Sequence, residues 1–513
     1  MKLITLAEVS EAIATVRSRI AKIKLLSACL RDLEPDERAT GVNWLAGALP
    51  GGRLGLGPAA IHALRGITPA LEATLTLTAT QQQLESLKDI KGKGSAGLRQ
   101  AVLIKLFELA TDKEQNFLAR LLLRELRQGA LEGVMADAIA AAAEVPVADV
   151  RRAIMLCGAM APVAEAALST GVAGLATFRL NLFEPVSPML ASPTEDVESA
   201  LTGLGTAAFE YKLDGARVQI HKSGADIKIY SRTGRDVSFS LPEITQAIAS
   251  IPAHSLILDG EVLAMNNNGS PRPFQDSMRR FGRKLAVEDV QAHIPMSLYC
   301  FDCLHANGED LLDKPTTQRV EAMTELLPPH LVVPRLVTNS LDAAGLFLRT
   351  ALDTGHEGLM AKSLLAPYEA GSRGASWLKI KVAHTLDLVV LAAEWGSGRR
   401  RGWLSNLHLG ALSDDGFVML GKTFKGLTDE LLAWQTEKLL ALAVNRDEEG
   451  YVVNVRPELV VEIAFNDLQV STRYPGGLAL RFARVIRYRD DKTAADADTI
   501  ETVRVIASKQ KTA

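Results

Sequence analysis

The sequence predicts a multidomain protein in which an all-α region is followed by an α+β region and then by a β-barrel. Its 513 residues favour three domains at about 100–200 residues each. Residues 1–182 are rich in Ala and Leu, with apolar positions three and four apart, as in packed helices. Short strand-like segments alternate with helical stretches in 183–386, and short strands dominate 387–513. We therefore place the domain boundaries near residues 182 and 386.

Composition excludes several classes of protein. Hydrophobic residues make up 47% and charged residues 23%, which is ordinary for a globular chain and excludes a mostly disordered one. The 57 Lys and Arg against 60 Asp and Glu leave a net charge of -3. Any polyanionic partner must then be held by local clusters of basic residues, because attraction depends on where the charges sit.

Neither a membrane segment nor a disulfide framework is expected. The longest apolar run, Ile154–Ala164, is far shorter than the roughly 20 residues that cross a bilayer, so no membrane partner is predicted. Cys300 and Cys303 form a C-x-x-C motif without the second pair or histidines of a zinc site. With four cysteines in so long a chain, a reducing cytoplasm is the predicted location.

The elements of the three regions follow from local patterns. Thr111 and Glu114 form a capping box before the apolar positions Phe117, Leu121, Leu122 and Leu126, which predicts a helix in the first region. The segment Phe183–Pro188 contains two helix-breaking prolines and reads as a linker. β-Branched or alternating runs then predict strands at 216–221, 226–230 and 256–265, a helix at 339–354, and barrel strands at 388–393, 407–412, 417–421 and 459–465.

The most informative segment for function is Glu210–Arg217. Lys212 ends a strand-like stretch, Asp214-Gly215 makes a tight turn, and Arg217 opens the next strand. A lysine held in this way can act as a nucleophile when nearby cations or desolvation favour its neutral form. By itself the segment fits a charged surface hairpin equally well.

Further charged segments follow in the middle region. Each of them alone has a structural explanation, such as a salt bridge or a solvated strand face. Their order along the chain, from one lysine through acidic segments to two basic strands, is harder to explain structurally. They are the basic turn Ser231–Arg235, the carboxylates Asp259 and Glu261 on one strand face, Phe301-Asp302, Glu357–Lys362, and Trp377 with Lys379 and Lys381.

Together these residues resemble the covalent nucleotidyltransferase superfamily, and specifically the prokaryotic ATP-dependent DNA ligases of three-domain, replicative-type architecture. Lys212–Arg217 is similar to the family's K-x-D-G-x-R motif, and the later segments match the following motifs in order. The last motif resembles Arg481–Lys492, where Ala483 replaces the usual proline. The resemblance covers nearly the whole chain.

The resemblance implies that Lys212 attacks the α-phosphate of ATP, releases pyrophosphate and becomes a lysyl-AMP. The attack needs a neutral amine, which the positive charges of Lys379 and Lys381 would favour. It also implies a set of nucleotide contacts and a Mg²⁺ site of oxygen ligands. The implied nucleotide contacts are Glu210 at the adenine edge, Phe301 stacked on the ring, Glu261 at the ribose, and Arg217, Arg232, Arg373, Lys379, Lys381 and Arg484 at ribose and phosphates; the implied metal ligands are Glu357 and, less directly, Asp259.

The partner implied by the resemblance is nicked duplex DNA. The helical DNA-binding domain would grip the phosphate backbone, the barrel would be an OB-fold packed on the duplex, and a monomer would encircle the DNA around the adenylation domain. Arg484 would reach ATP only when the barrel domain closes over the site, and then withdraw. The residues do not distinguish replication from recombination or repair.

Two alternatives remain at this stage. An RNA ligase or an RNA capping enzyme shares the lysine motif, although the large helical region and the C-terminal arginine motif argue against both. A non-catalytic DNA-binding scaffold is the other alternative, although the intact Lys212, Glu261 and Glu357 argue against it.

Overall fold

The computed structural model describes residues 1–49, 58–92, 94–126, 128, 132–266, 268–281, 294–369, 373–381, 384–447 and 450–512. Within those ranges, no helix combines the length and the apolar character that crossing a membrane requires.

The N-terminal region is helical. Its helices are α1 Leu3–Thr15, α2 Arg19–Arg31, α3 Pro35–Leu45, α4 Pro58–Ala63, α5 Leu77–Ser86, α6 Ser95–Leu109, α7 Asp112–Leu122, α8 Glu132–Ala143, α9 Val147–Cys157 and α10 Met160–Leu175. Leucines and alanines from these helices form one continuous core. The predicted capping box at the start of α7 is confirmed, because Thr111 N–H and Oγ1 donate to Glu114 Oε2 at 2.8 and 2.9 Å.

The central region contains two five-stranded sheets. The strands of the first run in the order β1-β10-β9-β2-β8 and those of the second in the order β4-β3-β5-β6-β7. They are β1 Leu190–Thr194, β2 Ala207–Tyr211, β3 Ala216–Ser223, β4 Asp226–Ser231, β5 Ser255–Ala264, β6 Met296–Ala306, β7 Glu309–Asp310, β8 Arg335–Thr338, β9 Gly358–Ser363 and β10 Arg373–Lys381. The helices are α11 Val197–Leu204, α12 Pro242–Ala249, α13 Phe274–Phe281, α14 Thr316–Leu326 and α15 Leu341–Asp353.

The two sheets meet around an apolar cluster that includes Ile257, Leu304, Tyr368 and Trp377. Ile257 and Leu304 come from the second sheet, and Trp377 comes from β10 of the first. Side chains from both sheets therefore face the junction between them, here called the groove, and most of the predicted site residues lie there.

The C-terminal region is β-rich. Its strands are β11 His384–Trp395, β12 Leu404–Ser413, β13 Gly416–Thr423, β14 Ala443–Arg446, β15 Val452–Val455, β16 Val460–Phe465, β17 Asp467–Val470, β18 Leu478–Arg481 and β19 Arg484–Tyr488, with helices α16 Asp429–Ala441 and α17 Ile500–Thr512. The long strand β11 pairs with β12, β15 and β16, which wraps the sheet around one apolar core. The predicted boundary at residues 386 and 387 falls inside β11 and stays a prediction.

Candidate active site

Strand register brings the predicted basic residues onto one face of the first sheet. Glu210 in β2 pairs with Met360 in β9, and Met360 pairs with Lys379 in β10. Because side chains two residues apart share a face of a strand, Lys212, Lys381 and Trp377 lie on the same face. The alternation that the sequence shows in Trp377–Lys381 thus becomes a row of cations facing the groove.

Lys212 is held at the end of β2 by its backbone and by its side chain. Its N–H donates to Gly358 O at 2.9 Å, and its carbonyl accepts from Glu357 N–H at 3.2 Å. Its Nζ donates to Glu357 Oε2 at 2.5 Å. Lys381 Nζ lies 2.7 Å from the same oxygen, so one carboxylate oxygen joins two ammonium groups.

The electrostatics of this trio follow from burial and mutual charge. Burial opposes the charged form of Glu357, but the ammonium groups of Lys212 and Lys381 lower its pKa below the ordinary value. Burial and the neighbouring Lys212 charge lower the pKa of Lys381. Glu357 is therefore ionised at neutral pH.

Gly358 is required next to Glu357 for a steric reason. Its φ is +140°, and a Cβ at this position would lie 2.2 Å from Ile380 O on the adjacent strand. Only glycine permits this close approach of β9 and β10. The approach places Glu357 between Lys212 and Lys381.

The opposite wall of the groove is built around Arg217. Its Nε and Nη2 donate to the two oxygens of Asp259 at 3.0 and 2.5 Å, and Tyr368 Oη donates to Asp259 Oδ2 at 2.7 Å. Burial alone would lower the pKa of Arg217, but Asp259 raises it above the ordinary value. Both oxygens of Asp259 are thus engaged by neighbours, and its predicted role as a metal ligand gains no support from this arrangement.

Glu261 lies beside Arg217, paired with it across β3 and β5. Burial raises the pKa of Glu261 to about 7, although the nearby Lys212 and Arg217 charges oppose the shift. The protonated form of Glu261 is therefore favoured more than in a solvated glutamate.

Glu210 is buried and is bound by two cations. Lys362 Nζ lies 2.6 Å from its Oε2, and Arg335 Nη1 donates to its Oε1 at 3.1 Å. Burial lowers the pKa of Lys362, against the opposing charge of Glu210. Lys362 Nζ also lies 4.6 Å from the ring centre of Phe301.

Aromatic rings close the groove. Phe301 and Tyr368 each meet Trp377 edge to face, with ring centres 6.0 and 5.9 Å apart. Trp377 is 2% exposed, and its indole N–H has no hydrogen-bond partner among the described residues. An unpaired buried donor beside cations and a flat ring suits a polar, aromatic ligand such as a nucleotide.

Two predicted contacts with described side chains, Arg232 and Arg484, are not brought into this cluster. Arg232 lies in an exposed turn after β4, and Arg484 is exposed on β19. The side chain of Arg373 lies outside the described residues. All three stay predictions.

Other residues, for which no contact was predicted, also take part in the site. Arg481 Nη1 donates to Asp214 Oδ2 at 2.9 Å, and its guanidinium lies 4.4 Å from the ring centre of Phe274. Arg481 belongs to the C-terminal arginine motif, which was the available signal. Arg335 and Tyr368 had no motif to mark them, since only tertiary contacts join them to Glu210 and Asp259.

A magnesium site would need oxygen ligands at the groove. Across the described ranges, no three His, Cys, Asp or Glu side chains are grouped to hold a metal ion by themselves. Mg²⁺ in phosphoryl-transfer sites commonly takes one or two carboxylates and completes its shell with phosphates and water. Glu357 at the groove fits that kind of site.

Comparisons with known proteins agree with this architecture. Sequence models of the ATP dependent DNA ligase domain, of the ATP dependent DNA ligase C terminal region and of the DNA ligase N terminus match residues 188–381, 400–492 and 64–140. The fold and the site thus define an ATP-dependent ligase with helical, adenylation and β-rich parts.

Relatives along the full chain identify the family. The chain is 56% identical to a probable DNA ligase of Anaeromyxobacter sp. (strain Fw109-5), over 99% of both chains, and 52% identical to one of Mycolicibacterium gilvum (strain PYR-GCK), over 99% of both. It therefore belongs to the ATP-dependent DNA ligases. The solved structure named Pmar-Lig_PreS3 shares the fold, with a TM-score of 0.64, 20% identity and coverage of 94% of this chain and 99% of that one.

Proposed function

We propose that this DNA ligase seals nicks in duplex DNA through lysyl-AMP and DNA-adenylate intermediates, with Lys212 as the nucleophile. The observation that carries the proposal is the trio of Lys212, Glu357 and Lys381 at the groove between the sheets. Lys212 Nζ would form a bond to the α-phosphorus of ATP while the α–β phosphoanhydride bond breaks and pyrophosphate leaves. The proton that the lysine must lose can pass to Glu357, its nearest acceptor.

The groove would hold the nucleotide by its base, its ribose and its phosphates. Phe301 offers a ring for stacking on adenine, and Glu210 offers an acceptor to its amino group. Glu261 would bind the ribose hydroxyls, while Lys379 and Lys381 would meet the phosphates. Arg217, Arg232 and Arg373 remain proposed contacts.

A Mg²⁺ ion would be held by Glu357, and when bound it would neutralise charge on the phosphates. We assign Asp259 a different task from the one predicted. Its carboxylate orients Arg217 through two hydrogen bonds, and Arg217 in turn forms one wall of the groove.

Nicked duplex DNA would be enclosed by all three parts of a single chain. The helical DNA-binding domain, residues 1–182, would contact the phosphate backbone, and the OB-fold, residues 387–513, would cover the opposite side. The contact of Arg481 with Asp214 supports a closed arrangement, since it joins the C-terminal part to the turn after Lys212. The cytoplasmic location rests on cysteine usage alone.

One substitution tests the nucleophile. Lys212→Arg keeps the charge and much of the size, but a guanidinium stays protonated and does not attack phosphorus. We expect no covalent adduct on incubation with α-labelled ATP, whereas Lys228→Arg, at an exposed position on β4, should label like the wild type. A labelled Lys212→Arg protein would show that another residue carries the nucleotide.

A further inference from the structure

Residues 183–189, here called the strap, join the helical region to the central region. The strap follows one face of β3. Three side chains on that face, at alternate residues of β3, form hydrogen bonds to the backbone of every third strap residue. Phe183 N–H donates to His221 Nδ1 at 2.9 Å, Val186 N–H to Gln219 Oε1 at 2.8 Å, and Arg217 Nη1 to Met189 O at 2.6 Å. A segment predicted as a linker is therefore held in register with a strand.

The hydrogen bonds of the strap form a closed network. His221 is fully buried, and because its Nδ1 accepts from Phe183, its Nε2 carries the proton and donates to Gln219 Oε1 at 2.9 Å. Gln219 Nε2 donates back to Val186 O at 3.4 Å. Tyr230 Oη donates to Phe183 O at 2.7 Å. Each polar group of β3 that faces the strap is thus engaged with it or with a neighbour.

The strap also packs against the helical region. Ser187 N–H donates to Met155 O of α9 at 2.9 Å. Met155 and Leu156 are buried in the same apolar cluster as Val186 and Met189 of the strap. A displacement of α9 would therefore pull on the strap and, through it, on β3.

At its other end the strap reaches the nucleotide groove. Arg217, which holds Met189, also donates to Asp259 and to Tyr368 Oη, and it lies 5.4 Å from the ring centre of Phe301. Met189 N–H donates to Tyr368 Oη at 3.0 Å, next to Asp259. One continuous set of contacts therefore runs from α9 to the wall of the groove.

We propose that His221 and Gln219 are positioning residues, which hold the helical region in one orientation relative to the nucleotide groove by fixing the strap on β3. A free linker would let the helical region sample many orientations, and the entropy of ordering them would be lost on each binding of DNA. The fixed strap removes that cost in advance. The consequence for DNA rests on the proposed role of the helical region in gripping the duplex.

The test compares variants in the full-length protein. His221→Leu and Gln219→Met remove hydrogen bonds to the strap and keep side-chain volume. We expect KM for a nicked duplex to rise about tenfold, which corresponds to about 1.4 kcal/mol, while the rate of adenylation by ATP stays within about twofold. His221→Asn, whose Oδ1 stands close to the position of Nδ1 and keeps an acceptor for Phe183 N–H, should restore most of the wild-type KM. Lys228→Met on the exposed side of β4 is the matched control.

A second measurement tests, in the absence of DNA, whether the strap holds the helical region in place. Small-angle X-ray scattering should give His221→Leu a larger radius of gyration than the wild type. If His221→Leu fails to fold, Tyr230→Phe, which removes one hydroxyl, should raise KM by about threefold. Unchanged KM and scattering, or equal loss of adenylation and sealing, would overturn the proposal. A larger radius with unchanged KM would support the strap and overturn the DNA-gripping role of the helical region.

Discussion

At the scale of single residues, the site is made of charged groups whose state depends on their neighbours. Glu357 is kept ionised by two lysines, whereas Glu261, a short distance away in the same groove, has its pKa raised to about 7 by burial. Two carboxylates of the same chemistry therefore differ in protonation near neutral pH. The difference follows from burial and ion pairing. Predictions for Glu261 and for Arg335, which binds Glu210, follow.

Glu261→Gln should change how stability depends on pH. The folded pKa of Glu261, about 7, lies above its ordinary value of 4.5, so the protonated form is favoured by folding. Its contribution to the free energy of unfolding is present below pH 4.5 and is lost as pH rises through 7. Glu261→Gln has no such titration, so its free energy of unfolding does not fall for this reason. The free energy of unfolding of the variant minus that of the wild type should therefore rise by about 1–3 kcal/mol between pH 5 and 8.

Urea unfolding at several pH values measures this difference. Glu325→Gln, at an exposed carboxylate on α14, is the control. A difference between Glu261→Gln and the wild type that stays constant from pH 5 to 8 would show that Glu261 is ionised in the folded protein throughout.

Arg335→Gln should weaken ATP binding without slowing the chemical step. The substitution removes one of the two cations that fix Glu210, and the other, Lys362, remains. A lost charge-assisted hydrogen bond is worth about 1.5–3 kcal/mol, so KM for ATP in adenylation should rise about tenfold or more, with kcat within about twofold. Arg349→Gln on α15 is the control. If Arg335→Gln lowers kcat and leaves KM for ATP unchanged, Glu210 does not bind the adenine base.

At the scale of elements, the pairing of β9 with β10 positions Glu357 between Lys212 and Lys381. Residues of β10 alternate between Trp377, Lys379 and Lys381 on the groove face and Leu378 and Ile380 on the other, where Ile380 is buried in an apolar core. The start of β9 approaches β10 closely because Gly358 has no side chain. The position of Glu357 thus depends on a glycine next to it that has no side chain.

Gly358→Ala should damage both stability and adenylation. The added Cβ would meet Ile380 O at 2.2 Å, and the φ of +140° is strained for alanine, so we expect a loss of about 2–4 kcal/mol in unfolding free energy and slower adenylation. Gly224→Ala is the matched control, since Gly224 also has positive φ but its Cβ would face open space. Equal effects of the two substitutions would mean that backbone strain at positive φ, and not the clash with Ile380 O, causes the loss of stability.

At the scale of the whole molecule, the C-terminal part closes on the central part through Arg481. Its guanidinium donates to Asp214 and stacks on Phe274, whereas Arg484 is exposed on the following strand. Neighbouring arginines of one motif thus point to different surroundings in this arrangement. If the C-terminal part moves between steps, each arginine serves a different step.

Arg481→Ala and Arg484→Ala should separate the two half-reactions in opposite senses. Arg481→Ala should keep adenylation by ATP and slow the sealing of pre-adenylated nicks by about tenfold to a hundredfold, because the closing contact with Asp214 is lost. Arg484→Ala should slow the reaction with ATP by about 10³-fold, because an arginine that neutralises the leaving phosphate is lost. The rate at which this variant seals pre-adenylated nicks should stay close to that of the wild type. Single-turnover rates of both steps measure this, and identical profiles for the two variants would contradict a division of labour.

The sequence by itself determined the order of the three parts, the motif around Lys212 and the strand alternation that groups Lys379 with Lys381, because these depend on local periodicity and spacing. Only the tertiary structure decided that Arg335 and Lys362 hold Glu210, that Asp259 serves Arg217, and that residues 183–189 are fixed to β3. Residues far apart in the chain make these contacts, and no local sequence pattern predicts the partner of a buried charge or of a backbone N–H. Burial then sets how those charges behave, as the raised pKa of Glu261 shows.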